Sequence, residues 1–241
     1  MNHLPDFLII GAARCGTSSL HASLARHPRI KPPDEKAFKR FASNYKEIHF
    51  FDKDHKFKYG VDFYRSFFIG PPQQFFYFES TPNYLYCPQV PARVKKIIPE
   101  AKFVVMLRNP VDRAWSHFCN WRIKSRLKES ILYDPKSEIL KKGIYHVQLS
   151  RWFEHFDRKQ FFIIRSENFF GNERNVIKQT LEFLGLSPAI DTTAVYYDPV
   201  KKTKGNPPMS VKLRRDLKTF YRPHNNELET LLGRNFGWLR K

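Results

Sequence analysis

Short apolar runs alternate with longer helical patterns along this chain, and this alternation limits the fold more than any other feature. The apolar runs are dense, as in strands that are covered on both faces of a sheet. The segments between them carry apolar residues at helical spacing, for example Ile177, Leu181 and Leu184. The predicted strands lie at 6–11, 75–79, 102–108 and 160–167, and the clearest predicted helices at 111–127 and 172–186. Strands that alternate with helices indicate an α/β fold with a parallel sheet.

In such a sheet, ligands bind beyond the carboxyl ends of the strands. The loops after Ile10, Glu79, Arg108 and Glu167 are therefore where a site is expected. The chain has 42 Lys and Arg against 23 Asp and Glu, a net charge of +19. This charge favours an anionic partner, which could be a nucleic acid, a nucleotide, a sulfated glycan or an acidic membrane.

Length and composition indicate a globular chain of 241 residues that forms one domain over 1–241. Hydrophobic residues make up 41% and charged residues 27%, which excludes wholesale disorder. Cys15, Cys87 and Cys119 lie far apart, so neither a disulfide scaffold nor a cysteine-rich zinc site is expected. No run approaches the roughly 20 apolar residues of a membrane helix, and no signal-like start is visible. We therefore expect a soluble, cytoplasmic protein with no membrane partner.

The loop after the first strand has the chemistry of a phosphate site. It runs from Gly11 to Ser18 and nearly matches the P-loop pattern, with Thr17 where nucleoside triphosphatases have lysine. Glycines let the backbone approach an anion closely, and the free N–H groups of a helix start point towards it. The predicted contributors are the following: Arg14 as cation, Cys15 and Gly16 through the backbone, and Thr17, Ser18 and Ser19 as hydroxyl donors. An ordinary strand-to-helix turn capped by Thr or Ser explains the same residues.

The segment IIGAARCGTSSLHASLARHP resembles the 5′-phosphosulfate loop of sulfotransferases that use 3′-phosphoadenosine 5′-phosphosulfate (PAPS). The resemblance is closer to the heparan-sulfate-type and bacterial branch, in which Lys or Arg occupies the position of Arg14. The segment VVMLRNPVDRAWSHF resembles the 3′-phosphate segment of the same family. There Arg108 would clamp the phosphate bidentately and Ser116 would donate to it. Without the first loop, Arg108 could equally be a buried ion-pair partner.

A third segment, KEIHFFD at 46–52, resembles the family segment whose glutamate is taken as the general base. If the segment is extended, Glu47 and His49 project on the same face. An attacking hydroxyl or amine must lose a proton, so a carboxylate or imidazole must lie within reach. Glu47 is the predicted base, with His49 as fallback, and Lys46 would hold the leaving side of the sulfuryl group. A solvated stretch of charges is the alternative interpretation.

Two further segments extend the resemblance to nearly the whole chain. ESTPNYL at 79–85 is similar to a segment that borders the donor and acceptor sites, with Ser80 where heparan-type enzymes carry an active-site lysine. Near the C-terminus, KKTKGNPP resembles the loop that closes over the adenosine, which would make Lys204, Gly205 and Asn206 donor-binding residues. The leucine and tryptophan pattern of the last 20 residues, also typical of the family, predicts core packing.

The resemblance implies a P-loop-like three-layer α/β sandwich with a central parallel sheet of about five strands. It implies transfer of the sulfuryl group from PAPS to a hydroxyl or amine, with release of adenosine 3′,5′-bisphosphate (PAP) and no metal. Segments 53–74 and 129–144 are expected to border the acceptor, for which we predict a small metabolite, with a glycan or oligosaccharide as the alternative. A P-loop kinase would need a lysine after Gly16 and a strand-end aspartate. A basic nucleic-acid-binding module is disfavoured because most aromatics lie in apolar strand runs.

Overall fold

A computed structural model describes residues 3–37, 46–71, 74–187 and 206–238. Its centre is a sheet of five parallel strands in the order β2-β3-β1-β4-β5. The strands are β1 (Phe7–Gly11), β2 (Ile30–Lys31), β3 (Phe76–Ser80), β4 (Lys102–Leu107) and β5 (Phe161–Arg165). The predicted α/β architecture with about five parallel strands is confirmed.

Helices connect the strands and cover the sheet. In chain order they are α1 (Thr17–Ala25), α2 (Asp54–Phe57), α3 (Gly60–Arg65), α4 (Val90–Ile97), α5 (Pro110–Ser125), α6 (Glu138–Lys141), α7 (Tyr145–Phe153), α8 (Ser166–Gly171), α9 (Glu173–Leu184) and α10 (Val211–Leu232). Two short 3₁₀ turns lie at Glu129–Leu132 and Arg158–Gln160. Within the described residues, no helix is both long and apolar enough to cross a bilayer.

The core forms where the sequence predicted it. Every residue of β1 is buried, as are all residues of β4 after Lys102, because both strands lie inside the sheet and are covered on both faces. Helix α9 buries Ile177, Leu181 and Leu184 and ends at Gly185, whose φ of 83° is in the left-handed region. The C-terminal residues also pack as predicted, since Trp238 is buried in the main core cluster.

Strand β2 and helix α10 had not been predicted as elements. Strand β2 has only two residues, too few to show a pattern. Helix α10 has 22 residues and contains Pro223, which by itself argues for a helix boundary. Packing against α7 and α5 holds the long helix, because its buried side chains include Leu217 and Tyr221.

Candidate active site

Two glycines shape the loop between β1 and α1. A Cβ on Gly11 would lie 2.6 Å from the Cβ of Leu85, so only glycine fits between the strands and the following turn. Gly16 has a φ of +95°, and a Cβ there would lie 2.9 Å from the Cζ atom of Phe170. The loop is therefore a close backbone turn that side chains at these two positions would disrupt.

The start of α1 is open to a ligand. Gly16 is the N-cap residue, and no side chain caps the helix. Thr17 is buried, Ser19 is half-buried and Ser18 is exposed. The buried Cys15 thiol lies 3.6 Å from the Tyr145 hydroxyl, and the Cys15 N–H donates to the Ala12 carbonyl at 3.2 Å, so both donors of Cys15 already have partners. This arrangement favours an anion site over a capped turn, because the first N–H groups of the helix are left for a ligand.

The glycine loop and the segment 104–118 meet through the side chain of Arg14. The Arg14 guanidinium donates from Nε and Nη2 to the Ser116 hydroxyl, at 3.3 and 3.2 Å, although the two residues are 102 positions apart. Ser116 is buried in α5. Since its oxygen accepts from Arg14, its hydroxyl proton remains available to an anion. The structure thus brings both predicted phosphate-binding residues to one place.

Positive charge is concentrated at this place. Burial lowers the pKa of Arg14, and the charges of Arg108 and Arg113 lower it further. The Arg108 guanidinium forms no hydrogen bond or ion pair with any residue that the structure describes. A bound anion would relieve the repulsion among these arginines, so the cluster has the electrostatics of a phosphate site.

Asp112 and Arg113, which follow Arg108 in its motif, hold helix α5 in place. Asp112 pairs with Arg214 of α10 at 3.0 Å. Arg113 is fully buried, contacts His117 at 3.1 Å and donates to the backbone carbonyl of Ile139. These contacts fix α5 against its surroundings.

The predicted base segment is a cluster of alternating charges. Lys46 donates to the Ser18 hydroxyl and lies 3.4 Å from Oε1 of Glu47. Nε2 of His49 lies 3.3 Å from Oε2 of Glu47, and its Nδ1 lies 2.9 Å from Oδ2 of Asp52. The segment is not a strand: His49 has a φ of 57°, and this left-handed turn brings its ring between the two carboxylates. Glu47 and His49 were predicted to share one face of an extended segment. The two side chains do meet, but through a left-handed turn.

The charges in this cluster bear on which residue is the better proton acceptor. Burial raises the pKa of Glu47, but the hydrogen bond from His49 and the charge of Lys46 outweigh it and lower that pKa. Burial lowers the pKa of His49, but Asp52 and Glu47 outweigh it and raise that pKa to about 9. At neutral pH, these shifts leave Glu47 as a carboxylate and His49 as a cation. They favour Glu47 over His49 as the base, and both assignments stay predictions.

Several contacts behind the cluster were not predicted. Asn83 donates to Oδ2 of Asp52 at 2.7 Å and so holds the carboxylate that faces His49. Ser80 is fully buried, and its hydroxyl has no hydrogen-bond partner within the described part of the chain. The family-like segment 79–85 was the only signal for these residues, and it did not separate their roles.

The C-terminal loop is described only in part. Lys204 and Gly205 lie outside the described residues, and Asn206 is exposed. The next carbonyl, that of Pro207, accepts a 2.8 Å hydrogen bond from Nε1 of Trp115, which precedes Ser116 in α5. This bond brings the described end of the loop close to the arginine and serine site. Among the described residues, no three His, Cys, Asp or Glu side chains could together hold a metal ion.

Comparison with known proteins identifies the family. The model of the Sulfotransferase family matches residues 5–190, which is more than half of the chain. This chain belongs to the sulfotransferase family. Its membership confirms the predicted sulfotransferase class. The central parallel sheet is the fold that the family resemblance implied.

This sulfotransferase is similar to two mouse enzymes and one bacterial structure. It is 30% identical to the bifunctional heparan sulfate N-deacetylase/N-sulfotransferase 4 over 97% of its own length but only 30% of that protein. It is 27% identical to heparan sulfate glucosamine 3-O-sulfotransferase 3A1, covering 98% of this chain and 64% of that enzyme. The crystal structure of a sulfotransferase from Alicyclobacillus acidocaldarius superposes with a TM-score of 0.76 at 28% identity, covering 99% of this chain and all of the other. The chain thus spans less than two thirds of these curated relatives.

Proposed function

We propose that this sulfotransferase moves the sulfuryl group of PAPS to a hydroxyl or amine of a saccharide acceptor. The observation that carries the proposal is a pair of arginines at a glycine loop, neither of which has an acidic partner among the described residues. An ionised carboxylate lies next to the same loop. Arg14 and Arg108 supply the positive charge, and Glu47 reaches the same loop through Lys46 and Ser18.

The residues present fit a donor with phosphate groups at two ends. The open start of α1 and the hydroxyl of Ser18 suit the 5′-phosphosulfate. Arg108, with Ser116 close by, suits the doubly charged 3′-phosphate that distinguishes PAPS from ATP. Asn206, and with it Lys204 and Gly205, remains a predicted contributor on the adenosine side.

PAPS supplies a sulfuryl group on a phosphate leaving group. Glu47 takes the proton of the acceptor, and the His49 imidazolium holds its second oxygen in place. Lys46 bridges Glu47 and Ser18, so its ammonium lies between the base and the donor loop. Arg14 and the backbone N–H groups of residues 16–18 stabilise the negative charge that develops on the leaving oxygen, whereas the Ser19 N–H donates to the Gly16 carbonyl at 3.0 Å.

Two acceptor classes were considered, and the relatives favour the saccharide. Both mouse relatives are named for heparan sulfate, and each covers nearly all of this chain. The segment that flanks the base also suits an anionic sugar, since Lys53 and Lys58 are exposed. The small-metabolite acceptor stays a prediction that only a comparison of substrates can test.

The donor half of the proposal predicts stabilisation by PAP. At a hundredfold excess over its dissociation constant, PAP should add about 2.7 kcal/mol to the free energy of unfolding. For a chain of this size, that raises the melting temperature by roughly 5–10 °C. The measurement is a thermal scan with and without PAP, repeated with a chelator, which should change nothing. A shift that requires magnesium, or a larger shift with ATP, would contradict PAPS as the donor.

A further inference from the structure

A buried carboxylate lies directly behind the base segment. Glu79, near the carboxyl end of β3, is fully buried and accepts three hydroxyl hydrogen bonds. Tyr64 and Tyr84 donate to Oε1 at 2.7 and 2.9 Å, and Thr81 donates to Oε2 at 2.7 Å. Burial raises the pKa of Glu79, and these three donors oppose that rise.

Two of the three hydroxyls also hold the backbone of the base segment. The Thr81 hydroxyl accepts from the backbone N–H of His49 at 3.4 Å. The Tyr84 hydroxyl accepts from the backbone N–H of Phe50 at 2.9 Å. Each hydroxyl has one proton and gives it to Glu79, so its lone pairs are left to face the N–H groups. The Glu79 carboxylate thereby makes both hydroxyls acceptors for the backbone N–H groups of the base segment.

These bonds act at the left-handed residue of the segment. An L-residue at the φ of 57° seen for His49 is strained and persists only where its surroundings hold it. The hydroxyls bind the N–H groups of His49 and of the two residues that follow it, with the Phe51 N–H donating to the Tyr84 hydroxyl at 3.4 Å. The same turn brings the imidazole between Glu47 and Asp52.

We propose that Glu79 is a positioning residue that holds the left-handed turn at His49 through Thr81 and Tyr84, and so aims Glu47 at the acceptor. Glu79 acts through other residues and touches no reacting atom. The role of Glu47 as base rests on the proposed function, whereas the geometry of the turn does not.

Two tyrosines offer a matched pair of variants. Tyr84→Phe and Tyr64→Phe each remove one buried hydroxyl that donates to Oε1 of Glu79. Only the Tyr84 hydroxyl accepts from the base segment, because Tyr64 contacts that segment through its ring, which stacks 4.5 Å from Phe50. Phenylalanine keeps the ring, so loss of the hydrogen bond to Glu79 is common to both variants.

The readout is the imidazole of His49, followed by nuclear magnetic resonance in histidine-labelled protein as pH is raised. In Tyr84→Phe, the pKa of His49 should fall from about 9 towards the ordinary value of 6.5, because the ring leaves its carboxylates. In Tyr64→Phe it should stay near 9. Turnover should fall about tenfold in Tyr84→Phe alone, with the affinity for PAP unchanged. Equal titration of His49 in the two variants would overturn the proposal.

Thr81 provides a second pair in case the tyrosine variants fold poorly. Thr81→Val removes the hydroxyl and should lower the pKa of His49, and Thr81→Ser should restore it. A serine variant that titrates like the valine variant would also overturn the proposal. The titration needs neither donor nor acceptor, so a failure of the proposed function appears as absent PAP binding while the difference between variants remains.

Discussion

Replacing Glu47 by glutamine is expected to lower turnover by about 10²–10⁴ while leaving the affinity for PAP nearly unchanged. Glutamine keeps the size of the side chain and can still accept from His49, but it cannot take a proton from the acceptor. His49 is expected to remain the poorer base in this variant, because Asp52, which raises the pKa of its ring more than Glu47 does, still pairs with its Nδ1 at 2.9 Å. The measurement is kcat in parallel with the PAP-induced shift in melting temperature.

Glu182→Gln is the matched control, because it removes an exposed carboxylate on α9, outside the segments expected to border the acceptor, whose ion-pair partner among the described residues is Lys178. This variant should behave like the wild type in both measurements. Wild-type turnover in Glu47→Gln would eliminate Glu47 as the base. Loss of PAP binding in Glu47→Gln would instead mean that the carboxylate orders the donor loop through Lys46 and Ser18.

Arg108→Ala is expected to weaken PAP binding by about 2–4 kcal/mol, which is roughly 30- to 1000-fold in the dissociation constant. The guanidinium has no hydrogen-bond or ion-pair partner among the described residues, so its removal breaks no such bond within them. The loss is expected to act mainly on anion binding. Calorimetry or a thermal-shift titration with PAP measures the change.

The sharper form of this experiment varies the ligand as well as the residue. Adenosine 5′-monophosphate lacks the 3′-phosphate, so Arg108→Ala should change its affinity by less than about threefold. Arg122→Ala, which removes an exposed arginine from helix α5, should leave PAP binding intact. An equal loss for both nucleotides would contradict the assignment of Arg108 to the 3′-phosphate.

The sheet was predictable because its strands are short, dense and apolar. Burial on both faces leaves no polar positions in β1 and few in β4, and such runs are visible without any structure. Helix α10 was not predicted, since Pro223 interrupts its helical pattern. Packing against α7 stabilises this helix, and such packing is not visible in the local sequence. The two residues of β2 are held by pairing with β3, which is a property of the sheet.

The location of the site was also predictable, but its internal contacts were not. Parallel strands bring the loops after β1 and β4 to one edge, so Arg14 and Arg108 had to be neighbours. The bond from Arg14 to Ser116 depends on how α5 crosses that edge, which spacing does not reveal. The left-handed turn at His49 depends on buried partners that follow another strand, and the raised pKa of His49 follows from the two carboxylates that this turn brings to its ring.

The most direct test of the proposed function is transfer of ³⁵S from labelled PAPS, with desulfated heparin oligosaccharides and a pool of small hydroxyl- and amine-bearing metabolites offered separately. We predict labelled oligosaccharide, formed mole for mole with PAP, in the presence of a chelator and at least 10²-fold faster than in Glu47→Gln. Label in the small metabolites alone would contradict the saccharide acceptor. Absence of transfer to either pool, together with magnesium-dependent transfer of phosphate from ATP, would contradict sulfuryl transfer itself.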